Sequence, residues 1–130
     1  WPPDRDPAAL EKRYARSPRD FLALPNRQRV HVRDEGPRGA PVIVLLHGSN
    51  SSLHTWDPWT QRLKRRFRII RYDQPGHGLT GPHPRRAYDA AAFVDTLDQV
   101  TRALGIDRFV LAGNSMGGWV AWNYALAHPE

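Results

Sequence analysis

The chain of 130 residues contains no cysteine. That absence excludes disulfides, thiolate catalysis and cysteine-based zinc sites, and it leaves the compartment open. No apolar run approaches the roughly 18 residues that a membrane-spanning helix needs. Methionine occurs once, at Met116, and lysine only twice, against seventeen arginines. The six histidines show no paired ligand spacing, and no glycine-rich stretch has the form of a phosphate loop. No metal and no organic cofactor is therefore expected. The chain opens on Trp1 rather than methionine, so a preceding segment is expected to be missing.

What is present is globular: 40% hydrophobic and 25% charged residues, enough for one domain or a large piece of one. The net charge of +6 is uneven. Residues 1–38 carry nine basic and six acidic side chains, residues 39–86 eight and two, residues 87–130 two and five. The densest run is Arg62-Leu63-Lys64-Arg65-Arg66-Phe67-Arg68. It reads as a solvated helix end, where cations favour the negative pole of the dipole. Such a run also suits phosphates or an anionic membrane surface.

Residues 1–20, with four prolines, form an extended lead-in with a short helix near 8–15. Short strands are expected at 21–24 and 28–33, with Pro25-Asn26-Arg27 as the turn. The uninterrupted aliphatic run 42–46 suits a strand buried on both faces. A helix follows at about 55–65, with Trp56, Trp59 and Leu63 at helical spacing and both tryptophans expected in the core. Residues 68–72 form a strand, 73–84 a loop, and 89–104 an amphipathic helix stopped by Gly105. Residues 108–112 form a strand and 115–127 a helix, on which Trp119 and Trp122 are spaced for a packed face. Alternation of strand and helix from residue 42 onward implies a mostly parallel sheet with helices on both sides.

Three motifs carry chemistry. Gly113-Asn114-Ser115-Met116-Gly117-Gly118 follows a buried strand and opens a helix, the setting of a nucleophile elbow. His47-Gly48-Ser49 follows the strand at 42–46. Asp73-Gln74-Pro75-Gly76-His77-Gly78-Leu79-Thr80 follows the next strand. In order and spacing these motifs resemble the α/β-hydrolase superfamily over roughly residues 28–130.

The resemblance implies an α/β-hydrolase fold and a role for each matching position. Ser115 corresponds to the nucleophile. The backbone N–H groups of Ser49 and Met116 correspond to the oxyanion hole. His47, Gly48, Gly113 and Gly117 support the loop and the elbow, His47 by hydrogen bonding. Asp73 corresponds to a structural turn residue, since it precedes the serine and the triad order is Ser…Asp/Glu…His. His77 lines the entrance.

A nucleophilic serine needs a base, and the base needs an orienting group. His128 lies thirteen residues along the helix that Ser115 opens, about 20 Å away at 1.5 Å per residue. The triad histidine and acid are thus expected outside this chain. By this reading residues 1–20 are a lead-in and 21–130 the N-terminal half of a hydrolase, which requires a C-terminal half.

The implied function is a serine hydrolase that acts on a small ester-like substrate through an acyl-enzyme. Serine at the elbow argues against dehalogenase and epoxide-hydrolase chemistry, whose family branches use aspartate there. The alternatives are a carbon–carbon bond hydrolase of aromatic degradation, which the elbow resembles, a haloperoxidase-like activity, and a non-catalytic remnant or partner-binding module. No nucleic-acid partner is expected. The expected location is cytoplasmic, with a membrane-anchored or exported protein, through a lost N-terminal segment, as the alternative. Residues 1–130 alone are expected to aggregate readily and to lack esterase activity. A soluble monomer that unfolds cooperatively on heating would contradict the first expectation, and ester hydrolysis that vanishes in Ser115→Ala would contradict the second.

Overall fold

Short β-branched and aliphatic runs, each closed by a turn, build the sheet in a computed structural model that describes residues 2–130. Trp1, on which the expectation of a lost leading segment rests, lies outside the described residues. The strands are β1 (Phe21–Ala23), β2 (Arg29–Glu35), β3 (Val42–Leu46), β4 (Arg68–Tyr72) and β5 (Val110–Gly113). The helices are α1 (Pro7–Tyr14), α2 (Asp57–Leu63), α3 (Ala90–Ala103) and α4 (Met116–Ala127).

The sheet order is β1-β2-β4-β3-β5. The β3–β4 and β3–β5 pairings are parallel, as expected from crossovers that carry helices. The β1–β2 and β2–β4 pairings are antiparallel, so the sheet as a whole is mixed. A tight turn with Arg27 at φ 71° folds β1 back on β2, and such a turn permits only the antiparallel arrangement.

Helices cover both faces. Val44, Leu46, Ile70 and Tyr72 meet Phe93, Leu97 and Val100 of α3 and Val120 of α4 on one side. Leu45 and Ile69 meet Trp56, Leu63 and Phe67 on the other. The alternation along β3 thus feeds two cores, which is why its sequence is apolar without a break. Asp89 caps α3 by accepting the Ala92 N–H, and Gly105 at φ 67° ends it. The lead-in is docked as well as extended: Asp6 caps α1, and Arg29 of β2 holds Glu11 through two hydrogen bonds of 2.7 and 3.0 Å.

Several expectations shift. The helix expected at 55–65 is a one-turn 3-10 helix, Leu53–Trp56, followed by α2. Pro58 lacks an N–H and suits only a first helical turn, so the α-helix begins anew beside it. Strand β5 starts at Val110, two residues late, in register with Ile43. Trp56 is buried, but Trp59 is 55% exposed and touches Trp56 edge-on. Trp119 and Trp122 do not form a packed face: they are 45% and 68% exposed.

The exposed tryptophans follow from position. Strand β5 ends the sheet, and α4 turns Gly117 and Val120 inward while its outer face has no cover among the described residues. Val110 and Leu126 share this open edge. An unpaired apolar strand edge templates aggregation. Val110→Lys is accordingly expected to raise the soluble fraction while leaving the circular dichroism spectrum unchanged. Light scattering during a thermal ramp measures the first effect.

Candidate active site

Strands β3 and β5 run parallel, so the loops at their C-terminal ends meet. The β3 loop carries His47, Gly48 and Ser49. The β5 turn carries Gly113 through Gly117. The Asn114 N–H donates to the Leu46 carbonyl at 3.1 Å and ties the two together. A Cβ on Gly48 would stand 3.3 Å from that of Ser115, so the loop touches the elbow.

The elbow is strained. Ser115 has φ 52° and ψ −116°, outside the regions that side-chain-bearing residues prefer. Holding such a residue costs about 1–3 kcal/mol. Two close approaches enforce it. A Cβ on Gly117 would overlap the Leu46 carbonyl and stand 2.7 Å from that of His47. A Cβ on Gly113 would overlap the Gly117 carbonyl. Gly118 is different, because a Cβ there would make ordinary contact at 3.4 Å from the Gly113 carbonyl oxygen. The turn needs two of its three glycines, not all of them.

Ser115 is exposed, and its hydroxyl has no hydrogen-bond partner among the described residues. Met116 is the first residue of α4, where backbone N–H groups lack intrahelical acceptors. Ser49 is exposed in the turn after β3. Neither its N–H nor that of Met116 is paired among the described residues. The loop that carries one unpaired N–H thus meets the turn that carries the other, next to the Ser115 hydroxyl.

His47 is fully buried and committed. Its Nε2 accepts the Gln74 N–H at 2.9 Å, so Nδ1 carries the proton and donates to the Gly48 carbonyl at 2.7 Å. Gln74 also donates its side-chain amide to the His47 carbonyl at 2.8 Å. Burial pushes the imidazole pKa below its ordinary value, against the opposing pull of the Gly48 bond. Neutral His47 therefore braces the β3 loop, with no ring nitrogen free for Ser115.

Asp73 is equally committed. Its carboxylate accepts from the Leu53 N–H at 2.8 Å, the Leu79 N–H at 2.9 Å and the His31 ring at 2.7 Å. Burial pushes its pKa up, but these bonds outweigh burial and hold it below the usual carboxylate value. The other histidines are held elsewhere. His54 meets Asp57, His77 meets the Pro75 carbonyl, His83 accepts from Arg85 and Ala87, and His128 stacks on Tyr124. No hydrogen bond joins any of them to Ser115 among the described residues.

The sequence reading brought Ser115, Met116, Gly113, Gly117, His47, Gly48 and Ser49 to one end of the sheet, and the structure gathers all seven there. It missed Gln74, whose place beside Asp73 in the second loop was the available signal. It also missed Arg71, a buried cation on β4 that reaches the Leu53 carbonyl, Asp57 and Glu35. That network anchors the 3-10 turn beyond the β3 loop.

The family description for the α/β hydrolase fold matches residues 41–130. The human protein named epoxide hydrolase 4 is 31% identical over 103 residues, 78% of this chain and 28% of that protein. A solved structure from a study of novel epoxide hydrolases from hot-environment metagenomes is 37% identical. It superposes with a TM-score of 0.77, covering 82% of this chain and 36% of that one. The enol-lactonase from Burkholderia xenovorans LB400 is 32% identical with a TM-score of 0.78, covering 84% of this chain and 42% of its own. The chain thus spans 28–42% of the length of these proteins.

The two glycine positions separate close approach from mere motif. Gly117→Ala is expected to lower stability by several kcal/mol or prevent folding, because the methyl overlaps backbone on β3. Gly118→Ala is expected to fall within about 1 kcal/mol of the parent. Urea denaturation of both variants provides the check.

Proposed function

This chain belongs to the α/β-hydrolase fold family, and we propose that it supplies the nucleophilic half of a serine hydrolase's active site. Ser115 attacks a carbonyl carbon, and the Ser49 and Met116 N–H groups receive the oxyanion. The leaving group departs to give an ester on Ser115, and water then hydrolyses that ester. The observation that carries the reading is the strained, exposed Ser115 where the loop that carries one unpaired N–H meets the turn that carries the other. Strain of this kind persists where the surrounding structure enforces it and function uses it.

Relatives named for epoxide hydrolysis raise a second chemistry. Serine disfavours it. A carboxylate that opens an epoxide forms an ester, which water can cleave. A serine oxygen attached to the same carbon would form an ether, which water does not cleave at neutral pH. Acyl transfer turns over with serine; epoxide opening does not. Carboxylic esters and lactones are the substrate class that this site fits.

The general base and its orienting acid, in this reading, come from polypeptide outside residues 1–130. All histidines of the chain are engaged away from Ser115, and the chain covers less than half the length of its relatives. The 130-residue chain then has a nucleophile without a base, and by itself hydrolyses esters no faster than its Ser115→Ala variant.

The test uses a 4-nitrophenyl ester. A polypeptide that extends beyond Glu130 to the length of the relatives is expected to release nitrophenolate in a burst. Ser115→Ala in it should lower kcat by about 10^4-fold or more. Undiminished turnover in that variant would reject the assignment.

A further inference from the structure

Helix α2 has two faces of opposite character. Leu63, with Trp56 just before the helix and Phe67 in the turn after it, packs against β3 and β4, and Thr60 is buried. Trp59 and Arg62 are exposed on the flank of the helix, and Arg66 is exposed in the turn after it. A shallow cleft of about 320 Å³ lined by Pro58, Trp59, Arg62 and Leu63 sets the indole beside the first guanidinium.

The charges there lack counterparts. No carboxylate occurs between Pro58 and Tyr72. Arg68 pairs with Asp34 and Arg71 with Glu35 and Asp57. Arg62, Lys64, Arg65 and Arg66 form no ion pair among the described residues. Arg16, Arg29, Arg38 and Arg102 each meet an acid, whereas other cations without an ion pair among the described residues, such as Arg13, Arg27 and Arg108, are scattered along the chain. At residues 62–66 four cations without an ion pair fall within five positions, at the end of this helix and in the turn after it.

We propose that this face is a docking surface for an anionic phospholipid bilayer. Unneutralised cations complement an array of headgroup phosphates, and an exposed indole prefers the level of the headgroups. A single-stranded nucleic acid fits less well: it calls for a row of stacking aromatics, and Trp59 stands alone on this face with its ring already set edge-to-face on Trp56. The surface lies on the helix after the β3 loop and uses no residue of the Ser115 site.

Flotation through a density gradient tests the proposal, because aggregates sink and only vesicle-bound protein rises. A polypeptide that extends beyond Glu130 to the length of the relatives is expected to float with equimolar phosphatidylglycerol–phosphatidylcholine vesicles and not with phosphatidylcholine alone. Raising salt from about 0.1 to about 0.5 M should release it. Arg62→Glu with Arg66→Glu should weaken partitioning at least 10-fold, since each cation contributes about fivefold. Trp59→Ala should weaken it at about 0.1 M salt without changing how steeply salt releases the protein. The loop pair Arg85→Glu with Arg86→Glu, which carries equal charge change, should leave most of the binding intact. Equal flotation with neutral vesicles would overturn the proposal. So would equal loss from the loop pair, or RNA retention through Arg62 and Arg66 without flotation.

Discussion

The contact between Gly117 and the Leu46 carbonyl fixes how near α4 comes to the end of β3. The crossing is so close that no side chain fits at Gly117, and the turn before it must bend through a conformation foreign to serine. The strain at Ser115 follows from this close approach, and the free N–H of Met116 from its place at the start of α4.

Polar groups buried behind the site keep the facing loop in place. His47 bridges the Gly48 carbonyl and the Gln74 N–H, and Asp73 gathers donors from three separate segments. Arg71 joins the strands to the 3-10 turn. A buried ion pair contributes little net stability, but removing one partner costs about 3–5 kcal/mol. Such a network therefore acts on position more than on total stability. It leaves Ser49 at the surface with its N–H unspent.

The sequence made the site unusually legible because close approach leaves a mark: only glycine fits at 113 and 117, and the strand before them must be apolar. The core under β3 was legible through its unbroken aliphatic run, Val42–Leu46. Less legible were features that depend on neighbours distant in sequence. Arg71 follows two isoleucines in β4, and nothing local announces Asp57 and Glu35 as its partners. Trp119 and Trp122 have the spacing of a packed face, yet spacing cannot say whether anything lies beyond β5. The antiparallel β2–β4 pairing was hidden likewise, since pairing partners far apart in sequence leave no local pattern.

Ser115 is proposed as a nucleophile whose base comes from polypeptide outside residues 1–130. Fluorophosphonate treatment followed by peptide mass mapping addresses it directly. In a polypeptide extending beyond Glu130, a single adduct is predicted on the peptide that contains Ser115, formed far faster than in residues 1–130 alone. An adduct on another residue, or equal rates with and without the added polypeptide, would contradict the account.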